Sequence, residues 1–224
     1  MSDQNKIVGI IGRKGAGKST KAHTLVKYAP RILIFDPLED HIEPSASWNP
    51  DVFDGVNTRY EIGAGSAGES DLDEFLGQAR RIPTFACVVV PDADLEGDFE
   101  AVCKLICQYG NMLFVVEEAS LVCKAGYMPP TFGKIVRTGR HHKIDLLWTG
   151  QRAAEVSRTL TSMTDFFVFY SQTEPRDLDA IAERCGREIA SQVAELGLHE
   201  SFVWDVVGRE ILRDSPRLLK RQVG

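Results

Sequence analysis

The run Gly12-Arg13-Lys14-Gly15-Ala16-Gly17-Lys18-Ser19 matches the pattern G-x-x-x-x-G-K-S/T without a gap. Glycines at these spacings let the backbone wrap closely around phosphate, so that successive N–H groups point inward and form an anion nest. The apolar run Ile7–Ile11 precedes the loop and a helix-period stretch begins at Lys18, which aims the positive end of a helix at the same charge. In this geometry Lys18 reaches the β- and γ-phosphates of a nucleoside triphosphate, the Ser19 hydroxyl ligates Mg²⁺, and Thr20 completes the phosphate-binding segment. The ligands expected at this loop are therefore a nucleoside triphosphate and Mg²⁺.

A second constellation lies at Met112-Leu113-Phe114-Val115-Val116-Glu117-Glu118, an apolar strand ending in adjacent carboxylates. One carboxylate can hold the magnesium shell while the other orients and polarises an attacking water, because adjacent residues leave a strand in different directions. Glu117 is read as the metal-side residue and Glu118 as the general base. Aspartate is more usual at the first position, so Glu117 either approaches the metal through water or exchanges roles with its neighbour. A third polar residue, Gln151, follows the apolar run Ile144–Trp148 and stands at a strand's carboxyl end, where ligands gather in parallel sheets. It is placed to touch the γ-phosphate or the water attacking it. Between Thr131 and Leu160, six cations (Lys134, Arg137, Arg140, Lys143, Arg152 and Arg158) stand against Asp145 and Glu155 alone. That local excess contrasts with a chain of net charge −6.

The elements that must position these groups are legible as alternation. Apolar, β-branched runs recur at Ile7–Ile11, Ile32–Phe35, Phe85–Val90, Met112–Val116, Ile144–Trp148 and Phe166–Tyr170. Most are continuous, as expected for strands buried on both faces of a parallel sheet. Helix-period stretches separate them at Lys18–Tyr28, Leu72–Arg80, Phe99–Cys107, Phe132–Arg140, Ala153–Thr161 and Leu178–Cys185. The rhythm predicts a single three-layer α/β domain over residues 1–224. Glu39–Gly68, rich in Pro, Ser, Asn and Gly, reads as a long surface excursion. Phe202–Val207 and Glu210–Arg213 around Gly208 predict a terminal antiparallel hairpin, followed by a basic tail over 215–224.

Composition narrows the classes. With 224 residues, 43% hydrophobic and 26% charged, the chain is neither disordered nor fibrous and can bury a full core without staples. No run approaches the length of a membrane span, and MSDQNK lacks the basic-then-apolar pattern of a secretory signal, so a cytoplasmic location is expected. Net acidity argues against indiscriminate coating of nucleic acid. The five cysteines sit mostly in apolar runs and are expected to be free, buried small hydrophobes.

Together, Gly12–Ser19, Glu117-Glu118-Ala119, the block Arg137–Arg152 (RTGRHHKIDLLWTGQR) and its continuation Thr159–Asp179 resemble the HerA/FtsK superfamily of P-loop ATPases. Within it the chain is most similar to the small genome-packaging ATPases of viruses with internal membranes and related prophages. The similarity runs from Lys6 to about Cys185. It implies a RecA-like P-loop NTPase fold with a mainly parallel central sheet, working as a ring, usually of six subunits, that moves double-stranded DNA through its pore as ATP is hydrolysed. It also implies that Gln151 is the sensor glutamine. An arginine preceding the sensor strand, matched by Arg140 ahead of Arg137, would reach the neighbouring subunit's γ-phosphate. Such a finger contributes ~10³–10⁵ in rate. Lys124 and the Arg13/Lys14 pair are candidates for DNA or intersubunit contact, and the hairpin and tail for a capsid, portal or membrane partner. The sequence shows no membrane-spanning or periplasmic segment, which counts against the filamentous-phage assembly and zonula occludens toxin branch. Two other classes accommodate the loop: a slow nucleotide-dependent assembly switch, and a small-molecule kinase with a lid.

Overall fold

The apolar runs become strands because both of their faces are covered. In the computed structural model, which describes residues 6–26, 29–39, 56–62, 67–92 and 94–212, six strands carry the core: β1 (Ile7–Ile11), β2 (Arg31–Phe35), β4 (Phe85–Pro91), β5 (Met112–Val116), β6 (Ile144–Gly150) and β7 (Phe166–Tyr170). With β3 (Val56–Ile62), β8 (Ser201–Asp205) and β9 (Glu210–Leu212) they form one sheet of order β3-β4-β2-β5-β6-β1-β7-β8-β9. Strands β1 to β7 all run parallel, and β8 and β9 add an antiparallel hairpin at one edge. The predicted α/β class, mainly parallel sheet and terminal hairpin are all present. The basic tail, 215–224, lies outside the described residues.

Alternation within each strand divides the core between two faces. Val8, Ile10, Ile32, Ile34, Leu113, Val115, Leu147 and Val168 pack under α1 (Lys18–Val26), which contributes Ala22, Leu25 and Val26. Ile7, Ile11, Leu33, Phe35, Phe114 and Trp148 face the opposite layer of α2 (Ala67–Ala79), α3 (Leu95–Tyr109), α4 (Pro130–Thr138), α6 (Pro175–Cys185) and α7 (Arg187–Glu195). The short α5 (Arg158–Ser162) adds Leu160 to that face. Aromatic rings fill this second interface: Phe99 lies 4.9 Å from Phe35 and 5.1 Å from Phe132 between ring centroids, both edge-on. Edge-on pairs at this separation add about 0.5–1.5 kcal/mol each beyond the area they bury.

All five cysteines are free; Cys87, Cys103 and Cys123 are buried as expected, Cys107 and Cys185 only partly so, and burial pushes the Cys123 thiol up to about 11. Buried Arg31 satisfies the parallel layer's lower edge by donating to the carbonyls of Asn111, Ala79 and Ile82 at 2.9, 2.7 and 2.7 Å.

Two expectations change. The excursion assigned to Glu39–Gly68 contains a strand, since Val56–Ile62 pairs with Phe85–Pro91 along its whole length, and the helix α2 begins within it at Ala67. The sequence V-N-T-R-Y-E-I alternates apolar or β-branched residues with polar ones. That is the pattern of an edge strand, without the continuous apolar run that marks the central strands. Residues 40–55 and 63–66 of the excursion lie outside the described residues. The second change is α7, which follows α6 directly through Gly186 at φ 97°.

Candidate active site

Parallel pairing brings the carboxyl ends of β1, β6, β5 and β2 to one edge of the sheet, and the predicted residues gather there. The loop Gly12–Gly17 leaves β1 and enters α1 at Lys18. Its first glycine has no room for a side chain: a Cβ on Gly12 would lie 2.7 Å from the Cβ of Tyr170. Gly17, at φ 104°, holds a backbone conformation that side chains disfavour. Tyr170 also braces the loop from β7, its hydroxyl donating to the Gly17 carbonyl at 3.0 Å. Burial holds that phenol above the usual tyrosine range, so it stays a protonated donor. His199, from the turn before β8, donates from Nδ1 to the Ala16 carbonyl at 3.2 Å. The Lys18 ammonium lies inside the loop's curve, donating to the carbonyls of Gly12 at 2.8 Å and Arg13 at 3.3 Å. Arg13 and Lys14 are exposed at the rim.

β6 lies between the loop strand β1 and the acidic strand β5, and its end ties the two together. The Gly12 N–H donates to the Gly150 carbonyl at 3.1 Å. On the other side Glu117 and Glu118 leave β5, each less than a tenth exposed. Glu118 sits in the left-handed region at φ 45°, ψ 61°, a conformation that costs a non-glycine residue about 1–3 kcal/mol and turns its side chain out of the strand direction. Its Oε1 accepts from the backbone N–H of Gln151 at 3.0 Å and from the Ser120 hydroxyl at 2.9 Å. Gln151 is held from its other side as well, since Gln172 Nε2 donates to its carbonyl at 3.2 Å. Asp36, fully buried, ends β2 alongside Glu117.

These contacts place the loop, Glu117, Glu118 and Gln151 on one edge, as the spacing required. They also show residues that spacing could not reveal: Thr149, Ser120, Gln172, Tyr170, His199 and Asp36. Asp36 and Gln172 nonetheless carried a sequence signal, the first directly after the apolar run Ile32–Phe35 and the second just beyond Phe166–Tyr170, as Gln151 stands beyond β6.

The donor set at this edge suits magnesium. Among the described residues no cluster of three or more His, Cys, Asp or Glu side chains could hold a metal by itself. The Ser19 hydroxyl is carried at the start of α1, beyond the loop that leaves β1, and the buried carboxylate of Glu117 follows β5, with β6 between the two strands. A small hard cation that keeps several waters and takes its remaining ligands from phosphate fits such a divided site.

Arg140 stands elsewhere. It occupies the 3-10 turn Gly139–His142 ahead of β6, at the opposite edge of the sheet, and is exposed. The length of β6, about 20 Å at strand rise, separates it from its own chain's loop, further than an arginine extends. Arg137 lies on the exposed face of α4 and donates to the Gly133 carbonyl. The cationic stretch is thus divided by β6. Lys134, Arg137, Arg140 and Lys143 are exposed before the strand. After it, Arg152 is paired with buried Asp177 at 3.0 Å and Arg158 with Glu183 at 2.6 Å. Lys124 is also paired, with Glu96 at 2.7 Å, in an exposed ion pair of small worth.

Fold and loop together define a P-loop NTPase fold. No protein-family model and no curated protein sequence matches the chain, and the similarity found is one of three-dimensional structure. The structure is similar to that of the genome packaging NTPase B204 from Sulfolobus turreted icosahedral virus 2 in complex with AMP. The TM-score is 0.67 at 19% identity, over 96% of this chain and 100% of that one. The AMPPCP complex of the same protein gives 0.64 at 21% identity, over 95% and 97%. B204, the DNA-packaging ATPase from Sulfolobus turreted icosahedral virus, gives 0.66 at 21% identity, over 94% and 97%. The resemblance read from the loop, the acidic strand end and the Arg137–Arg152 block therefore has a structural counterpart along nearly the whole chain.

Proposed function

We propose that this protein hydrolyses ATP with Mg²⁺ and uses the cycle to translocate double-stranded DNA, as in packaging a viral or prophage genome, while assembled in a homo-oligomeric ring whose nucleotide sites are shared between neighbouring subunits. The observation that carries this reading is the single edge on which the phosphate loop, the buried carboxylate pair and Gln151 converge, in a fold shared with packaging NTPases.

The roles follow from position. Loop N–H groups and the end of α1 hold the triphosphate, and Lys18 exchanges its carbonyl partners for β- and γ-phosphate oxygens. Ser19 and Glu117 would hold a magnesium ion, which would offset the negative charge that develops on the phosphates. Glu118 accepts a proton from the water that attacks the γ-phosphorus, and the bond to the β-phosphate oxygen breaks as ADP leaves. Gln151, clamped through its main chain, keeps its side chain at the γ-phosphate. Arg140 cannot reach its own chain's loop, which supports its use by a neighbouring subunit in a head-to-tail ring. No helix among the described residues is long and apolar enough to cross a membrane.

The shared site gives a direct test. Arg140→Ala is expected to bind ATP normally and to turn over at less than about 1% of the wild-type rate. Mixing it with Glu118→Gln protein should raise turnover well above either variant alone, because some interfaces then pair an intact arginine with an intact base. Mixed rings that assemble yet stay inactive would contradict the assignment of Arg140 between subunits.

A further inference from the structure

Thr149 is 1% exposed on β6, two residues before Gln151, and its hydroxyl is committed at both ends. It donates to Glu117 Oε2 at 2.6 Å and accepts the backbone N–H of Glu118 at 2.9 Å. With the bond from the Gln151 N–H to Glu118 Oε1 this closes a circuit between the ends of two neighbouring strands. One hydroxyl therefore orients the side chain of the first carboxylate and the main chain of the second, at the point where Glu118 is forced into its left-handed conformation.

We propose that Thr149 is a positioning residue. It fixes Glu117 in the orientation that receives the magnesium shell, and it ties the acidic pair to the strand that carries Gln151. The proposal rests on the ATPase reading above. Valine at this position keeps the shape and removes both bonds; serine keeps both bonds and loses only a methyl group. Nothing about packing distinguishes serine as the better substitute in this apolar setting, so rescue by serine reports on the hydroxyl.

The experiment measures binding of the non-hydrolysable analogue AMPPCP by calorimetry, without Mg²⁺ and across a Mg²⁺ titration, alongside steady-state ATP turnover and a thermal melt. Thr149→Val should bind the analogue without Mg²⁺ as the wild type does. Its half-saturating Mg²⁺ concentration should rise by ~10–100-fold, the usual effect of removing the partner that orients a metal-side carboxylate. Its kcat should fall while KM for ATP at saturating Mg²⁺ changes little. Thr149→Ser should lie within about threefold of the wild type on the Mg²⁺ titration. If the valine variant melts early, Thr149→Ala against Thr149→Ser makes the same comparison, since those two differ by the hydroxyl alone. A wild-type Mg²⁺ titration in a folded valine or alanine variant overturns the proposal, as does a serine variant that is equally impaired. Wild-type protein whose nucleotide binding ignores Mg²⁺ overturns both this proposal and the ATPase reading. Wild-type Mg²⁺ dependence with an unaffected valine variant overturns this proposal alone.

Discussion

Lys18→Ala is expected to lower ATP affinity by at least ~10²-fold and to reduce turnover to background. The lysine sits inside the loop's curve on two carbonyls, within reach of the phosphates the loop is shaped to hold. Replacing its ammonium removes charge-assisted bonds worth about 1.5–3 kcal/mol each, from a loop whose other inward-facing donors are backbone N–H groups. The fold should survive. Lys18 opens α1 and is only partly buried, and alanine is the best helix former, so the melting temperature should shift by no more than a few degrees. Calorimetric titration with ATP and Mg²⁺ checks the affinity, and full turnover in this variant would remove the loop from the account.

Glu118→Gln separates binding from chemistry. The carboxylate accepts from Gln151 and Ser120 through a single oxygen, Oε1, and a glutamine amide oxygen can accept both bonds from the same place. The local structure should persist while the capacity to take a proton from water is lost. Loss of a positioned general base costs roughly 10²–10⁴ in rate. The variant should retain ATP that the wild type would have cleaved, which a quench-and-separate assay of bound nucleotide reads directly. Unchanged hydrolysis would transfer the base role to another carboxylate on this edge, with Glu117 the first to examine.

The parts of the site legible in the sequence are those whose chemistry demands contiguous residues or a fixed place on a strand. Gly12–Ser19 had to be contiguous because one loop must surround one phosphate chain. Glu117, Glu118 and Gln151 stood out because each follows a long apolar run. Thr149 did not: buried at the end of such a run, it looks like ordinary strand sequence, and its role depends on partners 31 and 32 residues away. Tyr170 and His199 touch the loop across 153 and 183 residues, separations at which no local pattern exists. The same division holds for the fold. Central strands announce themselves because both faces are buried, whereas Val56–Ile62, at the sheet's edge, carries Asn57, Arg59 and Glu61 and resembles a loop. Charge counting was misleading for a related reason. Arg152 and Arg158 belong in sequence to the cationic stretch, but α6 supplies the acids that neutralise them, leaving the exposed excess on the Arg140 side of the sheet.

The function proposed for this chain is ATP hydrolysis coupled to DNA translocation in an assembly with sites shared between subunits. Steady-state ATP turnover, measured over a wide range of protein concentration with and without double-stranded DNA, addresses it most directly. A rate per subunit that climbs with concentration and rises further with DNA is the predicted result. A rate that is flat with concentration and indifferent to DNA would contradict the motor, leaving a nucleotide site that serves a switch or a kinase.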